Sequence, residues 1–221
     1  MTSGFFRFEH WSILNARIKP YLMVKEGIPF VLVCLLIAGV FAFFGIWIVT
    51  AIFVALTLFM AFFFRDPKRT VPVGEGLIVS AADGRVTRVE VTEVGKVVSV
   101  FLSPLDVHVN RSPIAGVITN LTYIPGRKMP ATSDTASFEN ERNSLVIEGD
   151  GTSITVTQIA GIVARRIVCW PKVGDTLERG QKFGLIKFSS RTDLMMPSSV
   201  EIFVKVGDRV VGGESVIARF V

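Results

Sequence analysis

From Ile28 to Phe64 the chain runs for 37 residues without one charged side chain. The stretch reads "IPFVLVCLLIAGVFAFFGIWIVTAIFVALTLFMAFFF". A helix that crosses a bilayer needs about 20 apolar residues. The run is too long for one crossing and suits two short ones, with Gly39 and Gly45 near the middle where a turn can form. Arg7, Arg17, Lys19 and Lys25 precede it, and Arg65, Lys68 and Arg69 follow it. A Lys/Arg excess marks the cytoplasmic flank of a membrane segment. The pattern therefore predicts a transmembrane or re-entrant helical hairpin with both ends in the cytoplasm. One long tilted helix, or a buried pair of core helices, is the alternative. The run starts too late and is too long for a cleavable signal peptide. The expected location is the cell membrane, with the rest of the chain on its cytoplasmic side.

The remaining composition narrows the partners. The net charge is +5 over 221 residues, which suits either nucleic acid or an anionic membrane surface. No dense basic run interleaved with aromatics supports nucleic acid, so membrane lipid is the expected partner. Cys34 lies in the apolar run and Cys169 in an apparent strand. Their spacing gives neither a disulfide framework nor a metal site, and no metal is expected.

Four regions follow from these shifts. Residues 1–27 form an amphipathic lead-in that contains His10. Residues 28–64 are the hairpin, and 65–76, "RDPKRTVPVGEG", are a linker rich in Pro, Gly and charge. Residues 77–221 are dominated by alternating Val, Ile and Thr, with Gly turns at short intervals. That pattern predicts a mainly β domain, a barrel or sandwich with few helices. Within it "KVGDTLERG" (172–180) recurs as "KVGDRVVGG" (205–213), 33 residues later. Each copy is followed by a second apolar strand. Biotinyl and lipoyl carrier domains share this turn grammar, so a pseudo-symmetric lipoyl-like repeat is expected; shared turn chemistry without homology is the alternative.

Several stretches carry groups capable of chemistry. Between the two copies, "LIKFSSRTDLMMP" (185–197) ends an apolar strand in Ser189 and Ser190. "FLSPLDVHVNRSP" (101–113) packs Asp106, His108, Asn110 and Arg111 into six residues of an apolar region. Crowded ionisable groups in a loop are typical of sites, although a lone histidine is more often structural. Asp83 sits in the Asp-Gly step of "SAADGRV", where a plain hairpin turn is the simpler account. "ENERN" (139–143) precedes a strand and reads equally as a solvated loop.

In this order, "FFRDPKR", "AADGRV", "FLSPLDVHVNRSP", "ENERN", "GIVARRIVCW", "FGLIKFSSRTDLMMP" and "VKVGDRVVGGESVIA" closely resemble the phosphatidylserine decarboxylase family, in its short bacterial and archaeal-type branch. The resemblance implies a proenzyme that cuts itself before a serine. On this chain that serine is Ser190, giving a β chain of 1–189 and an α chain of 190–221. It implies that Ser190 becomes a pyruvoyl group, the only cofactor. That group holds the substrate amine as a Schiff base and serves as electron sink for decarboxylation. Phosphatidylserine is then the substrate and phosphatidylethanolamine the product. By the family pattern His108 is the general acid and Asp83 assists self-cleavage.

Two positions depart from that pattern. Ser189 stands where the family has glycine, which bears on whether cleavage is fast. Arg111 stands where longer members carry a second histidine, so either His108 serves both steps or maturation runs differently. Arg111, Arg142, Arg165 and Arg191 are the candidate cations for the lipid phosphate. The cleaved chains are expected to stay together, and a homo-oligomer is left open. A non-enzymatic membrane-anchored lipoyl-like adaptor is the alternative from another class; it leaves the Asp83, His108 and serine motifs without a purpose. A serine hydrolase lacks its "G-x-S-x-G" elbow.

Overall fold

The computed structural model describes residues 22–127, 129, 139–149, 151–161, 166–188 and 190–220. His10, Arg165, Ser189 and most of the lead-in therefore lie outside the described residues. The charge-free run folds into α1 (Ile28–Phe43) and α2 (Trp47–Phe63). Gly45 turns the chain between them in the left-handed region, at φ 71°, which glycine enters without steric cost. Gly39 stays inside α1. At the open end the Val24 N–H donates to the Phe64 carbonyl (2.9 Å), and the Asp66 N–H donates to that of Leu22 (3.1 Å). Both ends of the hairpin are thereby pinned together. Leu36, Phe43, Trp47, Ile48 and Leu58 are all more than 65% exposed, an apolar surface that none of the described residues covers. At 1.5 Å per residue each helix is roughly 25 Å long. Lys25–Phe43 is long and apolar enough to cross a membrane by length and composition.

The rest is mainly β and every strand pair is antiparallel. The strands are β1 (Leu77–Val79), β2 (Gly84–Thr92), β3 (Gly95–Leu102), β4 (Val109–Arg111), β5 (Gly116–Ile124), β6 (Arg142–Gly149) and β7 (Thr152–Ala160). They continue as β8 (Arg166–Cys169), β9 (Thr176–Leu177), β10 (Lys182–Lys187), β11 (Ser190–Met196), β12 (Val200–Ile202), β13 (Arg209–Val210) and β14 (Val216–Phe220). Eight of them form one curled sheet in the order β13-β2-β3-β11-β7-β6-β5-β9. Two three-stranded sheets, β1-β14-β12 and β4-β10-β8, complete the domain. The core between them is built from Val98, Val100, Leu145, Val156, Phe183, Leu194 and Ile217 and their neighbours.

The Asp83-Gly84 step is a corner between sheets and not a hairpin, because β1 pairs with β14 while β2 pairs with β3 and β13. A Cβ on Gly84 would lie 2.0 Å from the Phe101 carbonyl oxygen, so the corner admits only glycine. The two Lys-Val-Gly-Asp copies make the same turn. Asp175 accepts the Lys172 N–H at 2.8 Å, and Asp208 accepts that of Lys205 at 2.9 Å. The echo extends where the sequence showed none. The Gly180 N–H donates to the Ser112 carbonyl and the Gly213 N–H to the Ser80 carbonyl, both at 2.8 Å. In the large sheet β2 and β5 shift register at Val86/Arg88 and at Ile118/Asn120. The strand order thus pairs off about its centre, β11 with β7, β3 with β6, β2 with β5 and β13 with β9. Ser190 opens one of the two central strands.

Candidate active site

Strand β11 alternates its side chains between two faces. Ser190, Thr192, Leu194 and Met196 share one face and are all buried. Leu194 and Met196 belong to the core. Thr192 instead meets a chain of buried amides. The Asn110 side-chain amide donates to the Thr192 hydroxyl (3.1 Å), Gln158 donates to Asn110 (2.8 Å) and Asn143 donates to Gln158 (3.0 Å). This network ties β4, β6, β7 and β11 together. A buried polar group left unmatched costs about 1–3 kcal/mol, so the matched set fixes the relative placement of these strands. Ser190 is next on the same face. Its hydroxyl is fully buried and has no hydrogen-bond partner.

His108 lies on the segment just before β4, and β4 pairs with β10. The Ile186 N–H donates to the His108 carbonyl at 3.3 Å, so the histidine sits beside the end of β10, two residues before the step into β11. Its ring is 2% exposed. Nδ1 lies 3.0 Å from the Asp106 carbonyl, a pure acceptor, so Nδ1 carries the proton. Nε2 is then a lone-pair acceptor, buried and without a partner. Burial pushes the imidazole pKa down to about 4, and the Asp106 hydrogen bond offsets only part of that. His108 is therefore neutral at pH 7, with a free base at Nε2. Asp106 itself accepts the N–H and the hydroxyl of Ser103, at 2.8 and 2.7 Å, and this closes the loop that presents the histidine.

The connection from β10 to β11 is strained. Phe188 has φ 66° and is the one non-glycine residue with positive φ among the described residues. The left-handed region costs an L-residue roughly 1–2 kcal/mol. The Phe188 ring is held by the hairpin root, 4.5 Å from Phe63 (22° between planes), 6.2 Å from Phe64 and 6.5 Å from Phe30. Each aromatic pair contributes about 0.5–1.5 kcal/mol, enough to offset the strain. Phe63 also lies 4.2 Å from the His108 ring. Sequence reasoning assigned Phe63 to the membrane and left Phe188 in an ordinary strand. The charge-free run gives no sign that its final phenylalanines turn back into the domain.

The other expected residues fall nearby but not together. Asp83 accepts two hydrogen bonds from Arg69, at 2.9 and 2.7 Å, and one from the Gly212 N–H at 2.8 Å. Burial raises its pKa against the pull of Arg69. None of these bonds reaches His108 or Ser190. Arg111 is buried and donates to Asp66 (2.8 Å) and to the carbonyls of Gly180 and Pro67. Arg191 is buried in an ion pair with Asp193 at 2.9 Å. Arg142 is half-buried at the start of β6 and donates to the Asn140 carbonyl at 3.4 Å. Asn140, from the "ENERN" stretch, is fully buried; its side-chain amide donates to the carbonyls of Met129 and Ala160, both at 2.8 Å. Ala160 is the residue directly opposite Ser190 across the β11–β7 ladder.

A cavity of about 530 Å³ opens at the hairpin root, lined by Met23, Val24, Lys25, Glu26, Ile28, Asp66, Trp170 and Lys182. The Trp170 indole donates to Glu26 at 2.8 Å and closes one wall. Neither His108 nor Ser190 lines it. Met23, Val24 and Trp170 nevertheless belong to the apolar cluster that contains Phe63 and Phe188, so one packed wall serves both the cavity and the histidine. Among the described residues no group of His, Cys, Asp and Glu is placed to hold a metal.

Comparison with known proteins shows the family. The sequence profile described as phosphatidylserine decarboxylase matches residues 56–218. The phosphatidylserine decarboxylase proenzyme of Symbiobacterium thermophilum is 47% identical over 206 residues, covering 90% of this chain and 95% of that protein. The proenzyme of the same description from Nitratidesulfovibrio vulgaris is 46% identical, over 89% of this chain and 94% of its own. That of Ruegeria pomeroyi is 47% identical, over 91% and 95%. The profile match runs from the second half of α2 through the linker and the β domain into β14, and with these relatives it shows that the chain belongs to the phosphatidylserine decarboxylase family.

Proposed function

We propose that the chain is a proenzyme that cuts itself between Ser189 and Ser190 and then converts phosphatidylserine to phosphatidylethanolamine. The observation that carries this reading is a pair of buried reactive atoms without partners, Ser190 Oγ and His108 Nε2, at the strained turn from β10 into β11. A membrane adaptor has no use for either. In the cut, Ser190 Oγ attacks the carbonyl carbon of Ser189. Neutral His108 takes the hydroxyl proton at Nε2 and returns it to the amide nitrogen of residue 190. The C–N bond breaks as the C–O bond forms, which leaves an ester. Loss of the Cα proton of residue 190 expels the Ser189 carboxylate, and water then releases the nitrogen as ammonia, leaving a pyruvoyl group. Asp83 has an electrostatic and positioning part in this step, since in the uncut chain its oxygens are engaged by Arg69 and Gly212.

The residues present fit that group, because its precursor hydroxyl is buried and no neighbour competes for it. A pyruvoyl group supplies an electrophilic carbonyl that accepts the electron pair left when CO₂ departs. His108 then protonates the reacting carbon of the substrate. The lipid reaches the site from the membrane at the hairpin root, beside the cavity that Lys25 and Lys182 line. The domain faces the cytoplasm, on the side of the basic flanks.

Intact mass and lipid analysis of the purified full-length protein test the proposal. The expected result is a ketone-bearing fragment of 32 residues (190–221) and conversion of phosphatidylserine vesicles to phosphatidylethanolamine. Ser190→Ala is expected to abolish cleavage. Ser189→Gly is expected to speed it, since glycine opens the approach to the carbonyl. A chain that stays uncut and leaves phosphatidylserine unchanged, with Ser189→Gly no better, overturns the reading.

A further inference from the structure

We infer that Phe63, the last residue of the second hairpin helix, is a positioning residue for the reacting centre: one stacked contact with Phe188 and one tilted contact with His108 make the hairpin root part of the catalytic architecture. The inference rests on the reading that His108 and Ser190 react.

Phe63 differs from the rest of its helix. Leu58 is 67% exposed and Phe62 is 44% exposed, whereas Phe63 is fully buried. A residue that served only to anchor the hairpin would face lipid. Phe63 instead lies 4.2 Å from the imidazole, at 37°, and 4.5 Å from the Phe188 ring, at 22°. It is the one ring that contacts His108 among the described residues. The imidazole has a single hydrogen bond, at Nδ1, which fixes one edge and leaves the ring free to tilt about it. A ring packed against it at 4.2 Å restricts that freedom. The same ring holds Phe188 in the left-handed conformation that leads the chain toward Ser190. Arg65 braces the arrangement from the other side. It follows the hairpin directly, and its guanidinium donates to the Leu105 carbonyl at 2.7 Å, on the loop that carries His108.

The test reads the contact directly. The chain has two histidines, His10 and His108, so imidazole resonances are assignable in the full-length protein in lipid nanodiscs, with Ser190→Ala to keep the chain intact. The charged groups that act on the imidazole are Asp106 on its own segment and Arg65 just past α2; neither is altered by changing Phe63. With Phe63 present, the His108 ring protons are expected upfield, with a titration midpoint near pH 4. Phe63→Leu is expected to remove the upfield shift and move the midpoint toward 6.5. With Ser190 restored, it is expected to slow cleavage roughly tenfold or more, the loss that follows a misplaced reacting group. Vesicle flotation should change little; the melting temperature should fall, since a buried ring and its aromatic contacts are lost, and rates are compared well below it. Phe63→Tyr keeps the flat ring and should restore both spectrum and rate. Phe63→Met, whose flexible unbranched side chain can refill the vacated space, replaces the leucine variant if that one fails to fold, and should show the same loss. Unchanged imidazole spectra in Phe63→Leu overturn the contact, and an unchanged cleavage rate beside altered spectra overturns the positioning role. If no variant, Ser189→Gly included, ever forms a pyruvoyl group, the proposed function falls instead, while the spectra still decide the contact.

Discussion

A histidine that cannot take up a proton at neutral pH affects stability as well as chemistry. The folded-state pKa of His108 is about 4, against an ordinary 6.5. Above pH 6.5 both the folded and unfolded chains hold it neutral. As pH falls from 6.5 to 4, the unfolded chain gains a proton that the folded chain refuses, so stability is lost across that window. The full shift corresponds to roughly 3 kcal/mol. Urea midpoints of the uncut protein should therefore drop between pH 7 and pH 4.5, and His108→Asn should remove much of that drop. A pH-independent difference between the two proteins would mean that the imidazole is not buried neutral. The sequence showed the type and crowding of groups around His108. It could not show the burial that sets the pKa, because the groups packed against His108 come from far along the chain, Phe63 from the end of α2 and Ile186 from β10.

At the scale of elements, strand alternation and glycine turns were readable because they are local. The strand pairs that build the site are not. β4 meets β10, and β11 lies between β3 and β7, pairings across long loops that periodicity does not report. Asn110 and Asn143 stood out only as members of polar stretches and Gln158 not at all, and the network that joins them escaped notice for the same reason. A polar residue in a strand reads as a solvent-facing position until its partner on another strand is known. The "ENERN" stretch, equally open to a solvated-loop reading, puts Asn140 at the rim of the site. Asn140→Ala removes the bonds to Met129 and Ala160 and leaves buried backbone groups unmatched, at a cost of about 1–3 kcal/mol. Because Ala160 faces Ser190, cleavage should slow by more than the loss of stability alone explains. Asn140→Ala that melts lower yet cleaves at the normal rate would make Asn140 purely structural.

Across the whole molecule, the Lys-Val-Gly-Asp repeat was visible in the sequence, but its first-half counterpart was not. Ser80 and Gly84 correspond to Ser112 and Gly116, and little else is shared. The symmetry shows only through the sheet order and the matched bulges. It puts β11 at the middle of the eight-stranded sheet. Cutting before Ser190 frees that strand's leading end without loosening it, since Ser190–Met195 pair with β7 and Ser190–Met196 with β3. On the proposed function the cut is thus a one-way event in the life of the molecule. The uncut chain carries β11 to its slot by being tethered to β10. The mature pair has no such tether, and a released 32-residue piece would have to find the centre of a sheet already closed around its absence. The mature form is then held together by history more than by reversible equilibrium: diluted from denaturant, uncut Ser190→Ala protein should regain its fold, while the cleaved protein should not.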